Sequence, residues 1–159
     1  MQSSFTQIEE KEKVMESRLP RILIAEDEAP IQVQWIQALH QLGFKDSGYL
    51  IVGNAHHARI KLERAMDSEA ERFDVLITDL NMPGGPYDGL ELIRKIGRKP
   101  AFDTLRIHLA TSHIRGDETL TEEVCLKLES KGVKIWDKSP SYFSPKDILL
   151  STLQSLDAT

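Results

Sequence analysis

Three acidic side chains follow apolar runs that are typical of buried strands. Glu26 and Asp27 come directly after the run at residues 22–25, and Asp79 ends the run at residues 73–79, just before a loop rich in proline and glycine. The carboxyl ends of parallel strands lie along one edge of a sheet, where open α/β sheets place their ligand sites. We therefore expect the three carboxylates to meet at that edge.

A hydroxyl and an ammonium group occupy the same kind of position. Thr111 follows the apolar run at residues 107–110, and Lys138 follows the run at residues 133–137. Clustered carboxylates repel one another, and a divalent cation offsets that repulsion. All-oxygen ligands suit Mg²⁺, which recruits phosphate oxygens, and a carboxylate beside this ion can attack a phosphoryl group. The pattern predicts phosphoryl transfer onto an aspartate.

Five apolar strands alternate with five helical patterns from residue 21 onward. The strands are predicted at residues 22–25, 49–52, 73–79, 106–110 and 133–137. Apolar spacing predicts helices at about residues 31–42, 58–72, 90–97, 120–132 and 144–156. Continuous apolar strands are typical of a parallel sheet that is covered on both faces. The predicted fold is α/β, with a doubly wound parallel sheet.

The composition narrows the class of protein. A chain of 159 residues is long enough for one self-sufficient domain. Its net charge of −5 argues against a nucleic-acid-binding surface. No apolar run approaches the roughly 20 residues that span a bilayer, and the single cysteine, Cys125, cannot form an internal disulfide. We expect a cytoplasmic protein that binds neither nucleic acid nor membrane.

The first 20 residues differ from the rest. They are polar and of mixed charge, and they end at Pro20. This composition predicts an N-terminal extension that is flexible or partly helical, followed by one domain over residues 21–158. A short amphipathic helix that uses Phe5, Ile8 and Met15 to meet a partner is the alternative.

Taken in order, these pieces resemble the receiver domain of bacterial two-component response regulators. The matching segments are Ile22–Glu28, Asp79–Pro83 with Asp88–Gly89, Leu109–Ser112 and Asp137–Lys138. The resemblance covers residues 21 to about 157 and indicates the single-domain type. It implies a five-stranded flavodoxin-like sheet of order 2-1-3-4-5 with five helices.

The resemblance also implies the ligands of a Mg²⁺ ion. Asp79 matches the phosphoacceptor, which is also a metal ligand, and Asp27 matches the acid that binds the metal directly. Glu26 matches a neighbour that acts through metal-bound water. Asn81 lies where the family uses a backbone carbonyl as a ligand.

The hydroxyl and ammonium residues at the strand ends match the parts of a receiver that respond to the phosphoryl group. Thr111 matches the hydroxyl that moves on phosphorylation, and Lys138 the lysine that contacts the phosphoryl group. The implied phosphoryl donor is a histidine kinase or a histidine phosphotransfer protein. The signal would pass by protein contact to a downstream target, or through a homodimer, from the surface of helix 4, strand 5 and helix 5. Such a domain catalyses only its own phosphorylation and dephosphorylation.

Two positions depart from the usual receiver pattern. Ile135 stands where many receivers carry an aromatic that changes rotamer, so we expect no large rotamer change there. Ser139 follows Lys138 where most receivers have proline. The lysine–proline bond is usually cis in the family, so we expect a cis Lys138–Ser139 bond despite a cost of about 3–4 kcal/mol.

Two other functions use the same residues. One is a Mg²⁺-dependent phosphohydrolase of the haloacid-dehalogenase type. Those enzymes carry a second aspartate two residues after the nucleophile, where this chain has Asn81. The other is an unphosphorylated pseudo-receiver that acts as a scaffold. The complete set of reactive residues disfavours it.

Overall fold

The computed structural model describes residues 19–82, 87–112, 120–139 and 143–157. The predicted N-terminal extension lies outside these ranges except for its last two residues. The strands, β1 to β5, are Ile22–Ala25, Tyr49–Val52, Val75–Asp79, Arg106–Thr111 and Lys134–Asp137. The α-helices of the described ranges, α1 to α5, are Ala29–Gln41, Ala55–Ala65, Gly89–Gly97, Glu122–Ser130 and Pro145–Asp157. Two 3₁₀ helices, Asp46–Gly48 and Pro100–Phe102, precede β2 and β4.

The five strands form one parallel sheet in the order β2-β1-β3-β4-β5. This confirms the predicted doubly wound α/β fold. Successive side chains of a strand point to opposite faces, so a sheet with helices on both faces needs apolar residues at every position. Ile22 and Ile24 of β1 pack in the core cluster that contains Trp35 of α1. Leu23, on the other face, packs in the cluster that contains Leu62 of α2.

Helix α2 is shorter than predicted. It ends at Ala65 rather than near Arg72, and residues 66–67 and 69–71 form turns. Asp67 and Ser68 favour turns over helix interiors because their side chains compete for backbone hydrogen bonds. The Arg72 side chain donates from Nε to the carbonyl of Met66 at 2.9 Å. None of the helices in the described ranges is both long and apolar enough to cross a membrane.

A buried hydrogen-bonded network joins β4, β5 and α5. Trp136 Nε1 donates to His108 Nδ1 at 2.8 Å, and His108 Nε2 lies 3.0 Å from Thr152 Oγ1. The Thr152 hydroxyl donates its hydrogen to the carbonyl of Ile148. It therefore accepts from His108, and the imidazole is neutral with its proton on Nε2. This network holds together the two strands whose carboxyl ends carry the predicted hydroxyl and ammonium.

The network makes stability depend on pH. Burial lowers the pKa of His108 from 6.5 to about 4, and the positive charges of Lys134 and Arg106 add to the effect. Because the pKa is lower in the folded state, unfolding takes up a proton below pH 6.5. The free energy of unfolding should therefore fall as the pH drops from 6.5 towards 4, by roughly 3 kcal/mol in all. Urea unfolding at pH 7 and pH 4.5 measures this loss.

The His108→Gln variant is the control for this prediction. Glutamine removes the titrating group, so this variant should lose less stability than the parent protein over the same pH interval. Parallel losses in both proteins would show that other groups cause the acid sensitivity.

Candidate functional site

The three acidic residues meet at the carboxyl edge of the sheet. Ala25 pairs with Thr78 across β1 and β3, so the residues that follow these two positions are neighbours. One carboxylate oxygen from each of Glu26, Asp27 and Asp79 lies within 4.8 Å of the others. Glu26 is buried, Asp27 is exposed and the Asp79 side chain is 12% exposed. The cluster thus opens to solvent on the side of Asp27.

Lys138, the residue directly after β5, completes this cluster. Its ammonium contacts Glu26 Oε1 and lies 2.8 Å from Asp79 Oδ2, and its side chain is only 5% exposed. One ammonium among three carboxylates leaves two negative charges when all four groups are ionised. An acidic pocket with that charge and a set of carboxylate oxygens suits a divalent cation.

The buried pair shifts the pKa of both partners. Burial raises the pKa of the Glu26 carboxyl, and the hydrogen bond and positive charge of Lys138 oppose that rise. Burial lowers the pKa of Lys138, but its hydrogen bonds to Asp79 and Glu26 outweigh burial and hold the pKa above the usual lysine value. Lys138 therefore stays charged at neutral pH.

Backbone contacts fix the position of Glu26. Its N–H donates to the carbonyl of Val52 at 2.9 Å, which extends the β1–β2 pairing by one residue. Gln32 of α1 donates from Nε2 to the Glu26 carbonyl at 2.6 Å, and the Glu28 N–H donates to Glu26 Oε2 at 3.2 Å. Sequence reasoning missed Gln32, because nothing in the apolar pattern marks a polar residue on the first turns of a helix as a contact of the site.

The first residue of α3 packs against the backbone of Asp79. The Gly89 N–H donates to the carbonyl of Leu80 at 2.9 Å, and a Cβ built at Gly89 would lie 1.9 Å from the carbonyl oxygen of Asp79. Only glycine permits this approach. The Asp88 side chain accepts from the N–H of Glu91 at 2.9 Å and caps the same helix. The sequence showed Asp88 and Gly89 as a matching pair, but not this contact.

Asn81 and Thr111 stand beside the cluster. Asn81 is exposed two residues after Asp79. Asp79 pairs with Ala110 across β3 and β4, so buried Thr111 lies one residue beyond this pair at the same edge. The roles of Asn81 as a carbonyl ligand and of Thr111 as a switch hydroxyl stay predictions.

The expected cis bond between Lys138 and Ser139 is wrong. The described residues contain no cis peptide bond, so this bond is trans, and Lys138 still reaches Asp79. The Lys138 N–H donates to the carbonyl of Thr111 at 2.8 Å, and the Ser139 N–H donates to Asp137 Oδ1 at 2.8 Å. These contacts stabilise a turn that avoids the cost of a cis bond before serine.

The chain is similar in structure to receiver domains of known structure. It aligns with the chemotaxis response regulator CheY4 of Vibrio cholerae at 23% identity and a TM-score of 0.62, covering 87% of this chain and 98% of that one. It aligns with the isolated receiver domain of RcsB from Salmonella enterica serovar Typhimurium, whose structure was solved with the phosphomimetic BeF₃⁻, at 25% identity and a TM-score of 0.61, covering 87% and 88%.

A third similar structure contains a metal. It is the receiver domain of a sensor histidine kinase from Pseudomonas aeruginosa, with a magnesium ion coordinated in its active-site cleft. The identity is 21% and the TM-score 0.63, with coverage of 88% of this chain and 98% of that one. No curated protein matches the sequence significantly.

The sequence itself matches one protein family. Residues 22–129, about two thirds of the chain, match the family described as the response regulator receiver domain. Glu26, Asp27, Asp79 and Thr111 lie within the matched range, and Lys138 lies beyond it. The chain belongs to the family of response regulator receiver domains.

Proposed function

We propose that this protein is a single-domain response regulator of the cytoplasm that accepts a phosphoryl group on Asp79. The donor is a histidine kinase or a histidine phosphotransfer protein, and the phosphorylated protein acts by contact with a downstream protein. One observation carries the proposal. The buried Lys138 ammonium contacts Asp79 inside a cluster of three carboxylates at the carboxyl edge of the sheet.

The donor set fits Mg²⁺. Asp27 and Asp79 would hold the ion directly with the backbone carbonyl of Asn81, and Glu26 would act through a metal-bound water. The excess of two negative charges over Lys138 supports a dication in this place. When bound, Mg²⁺ compensates the charge on the transferring phosphoryl oxygens.

The chain's own residues carry out the transfer. A carboxylate oxygen of Asp79 attacks phosphorus, the bond from phosphorus to the donor atom breaks, and the donor keeps that electron pair. The Lys138 ammonium, which is 2.8 Å from Asp79 Oδ2, would contact a phosphoryl oxygen. The Thr111 hydroxyl donates to another. Attack of water on the acyl phosphate then releases inorganic phosphate and restores Asp79.

Incubation with acetyl phosphate and Mg²⁺, followed by intact mass measurement, tests this function. A gain of one phosphoryl group per chain supports the proposal. Continuous release of phosphate over many turnovers would instead support a phosphohydrolase. A mass that does not change would support an unphosphorylated scaffold.

The two acids that follow β1 should contribute unequally to metal binding. Asp27→Ala removes a direct ligand, so we expect Mg²⁺ to bind at least roughly tenfold more weakly by calorimetric titration. Glu26→Gln should have a smaller effect because Glu26 acts through water. Glu28→Ala removes an exposed acid of the same loop and is the matched control. Unchanged binding by Asp27→Ala would place the metal elsewhere.

Association would use α4, β5 and α5. Exposed large apolar side chains in the described ranges include Leu126 of α4, at 61%, and Leu150 of α5, at 36%. These two support a contact surface for a downstream protein or for a second copy of the chain. The surface adjoins the strand ends that carry Thr111 and Lys138, so movement of these residues would reach it.

Ile135 of β5 should keep its rotamer on phosphorylation. Its half-buried side chain packs against the core cluster that contains Leu109 and Leu128, and an aliphatic side chain there has no polar atom to gain from solvent. Structures with and without a phosphoryl mimic would show this. A swing of Ile135 from the core into solvent would contradict it.

A further inference from the structure

We propose that Asp137 is a positioning residue, whose side chain holds the turn that directs Lys138 into the phosphoacceptor site. The inference rests on the proposed function, in which Lys138 contacts the transferring phosphoryl group. It assigns a role to an exposed residue outside the cluster of Glu26, Asp27 and Asp79, which acts through its neighbour.

The carboxylate of Asp137 closes a turn around Lys138. Asp137 is the last residue of β5, and its Oδ1 accepts the N–H of Ser139 at 2.8 Å. The N–H of Lys138 itself donates to the carbonyl of Thr111 at 2.8 Å. The backbone is therefore fixed on both sides of the lysine, once by the β4–β5 pairing and once by the Asp137 side chain.

This turn supplies the backbone constraint that a proline after Lys138 would otherwise provide. The residue after Lys138 is serine, so no proline ring restricts the backbone there, and the bond between the two residues is trans. Ser139 is half-buried, and its N–H takes an acceptor at an exposed position of the turn. Asp137 supplies that acceptor from two residues before, which is the geometry that aspartate side chains favour in turns.

The Lys138 ammonium must lie within a narrow range of positions. Its side chain is 5% exposed and contacts both Glu26 and Asp79. An ammonium that contacts two carboxylates must approach them from one direction. A lysine side chain has several rotatable bonds, so many of its conformations place the ammonium elsewhere. A fixed backbone at Lys138 reduces the number of conformations in which the ammonium lies away from the two carboxylates. Loss of the Asp137 acceptor should therefore make the position of the Lys138 ammonium less defined, although the ammonium itself is still present.

Two substitutions separate the acceptor from the charge of Asp137. Asp137→Asn keeps the oxygen in place and loses the charge, whereas Asp137→Glu keeps the charge and moves the acceptor by one carbon atom. Asp137→Ala loses both. We expect Asp137→Ala and Asp137→Glu to take up phosphoryl groups from acetyl phosphate roughly three- to tenfold more slowly, and Asp137→Asn to stay close to the parent protein.

A double variant shows whether Asp137 acts through Lys138. In a Lys138→Met background there is no ammonium to position, so Asp137→Ala should cause no further slowing. Asp74→Ala is the matched control, since Asp74 Oδ2 accepts the N–H of Arg21 at the same 2.8 Å, but at the opposite edge of the sheet. Asp74→Ala should label at the parental rate.

A second measurement does not depend on phosphorylation. Lys138 should resist an amine-reactive acylating reagent in the parent protein, and its modification, mapped by peptide mass, should rise several-fold in Asp137→Ala and Asp137→Glu but not in Asp137→Asn. Exposed Lys127 is the internal reference.

Equal protection of Lys138 in all variants overturns the inference, as does equal slowing by Asp137→Asn. A parent protein that takes up no phosphoryl group refutes the proposed function instead, and the acylation result still decides the role of Asp137.

Discussion

Asp79→Asn is expected to abolish phosphoryl uptake from acetyl phosphate. The amide keeps the size of the side chain and can still accept from Lys138, which lies 2.8 Å from Asp79 Oδ2, but its oxygen is far too weak a nucleophile to attack phosphorus. The fold should survive, because the substitution also removes one of three mutually repelling carboxylates. Intact mass after incubation with Mg²⁺ and acetyl phosphate gives the result.

The Asp74→Asn variant is the control that tests whether labelling is specific to Asp79. Asp74→Asn changes an exposed aspartate that immediately precedes β3 at the opposite edge of the sheet, and should label like the parent protein. Peptide mapping of the labelled parent should locate the phosphoryl group on Asp79. An adduct that persists in Asp79→Asn and maps to Glu26 or Asp27 would transfer the acceptor role to that residue.

Gly89→Ala should both destabilise the protein and slow its labelling. The added Cβ would lie 1.9 Å from the Asp79 carbonyl oxygen and 2.9 Å from its carbonyl carbon. These are backbone atoms, which cannot rotate away, so α3 or the end of β3 must shift. We expect the free energy of unfolding to fall by roughly 2–4 kcal/mol. A displaced acceptor should also react up to about a hundredfold more slowly.

The same substitution at the other end of α3 is the control. Gly97 is the last residue of that helix, and a Cβ there meets nothing within 4 Å. Gly97→Ala should leave labelling unchanged and leave stability equal or slightly higher, because alanine favours helix more than glycine does. Urea unfolding of both variants measures the contrast. Equal stabilities would mean that Gly89 does not need its close approach to Asp79.

The sequence determined the fold and the membership of the acidic cluster. Five continuous apolar runs that alternate with helical spacing predict a parallel sheet covered on both faces, and the resemblance to receiver domains implies the observed order β2-β1-β3-β4-β5. Once the strands are parallel, residues that follow them must meet at one edge. Glu26, Asp27 and Asp79 are therefore neighbours for a reason that is visible in the order of residues alone.

The tertiary structure decided how the side chains reach one another. Contacts between distant elements placed the Lys138 ammonium between Glu26 and Asp79, and Gly89 against the Asp79 backbone. The peptide bond after Lys138 shows the limit of sequence reasoning. The resemblance to receiver domains suggested cis, but the structure is trans, and the N–H groups of Lys138 and Ser139 both find acceptors in that form. Periodicity determines which edge a side chain lies on, whereas the fit of neighbouring backbones determines what that side chain touches.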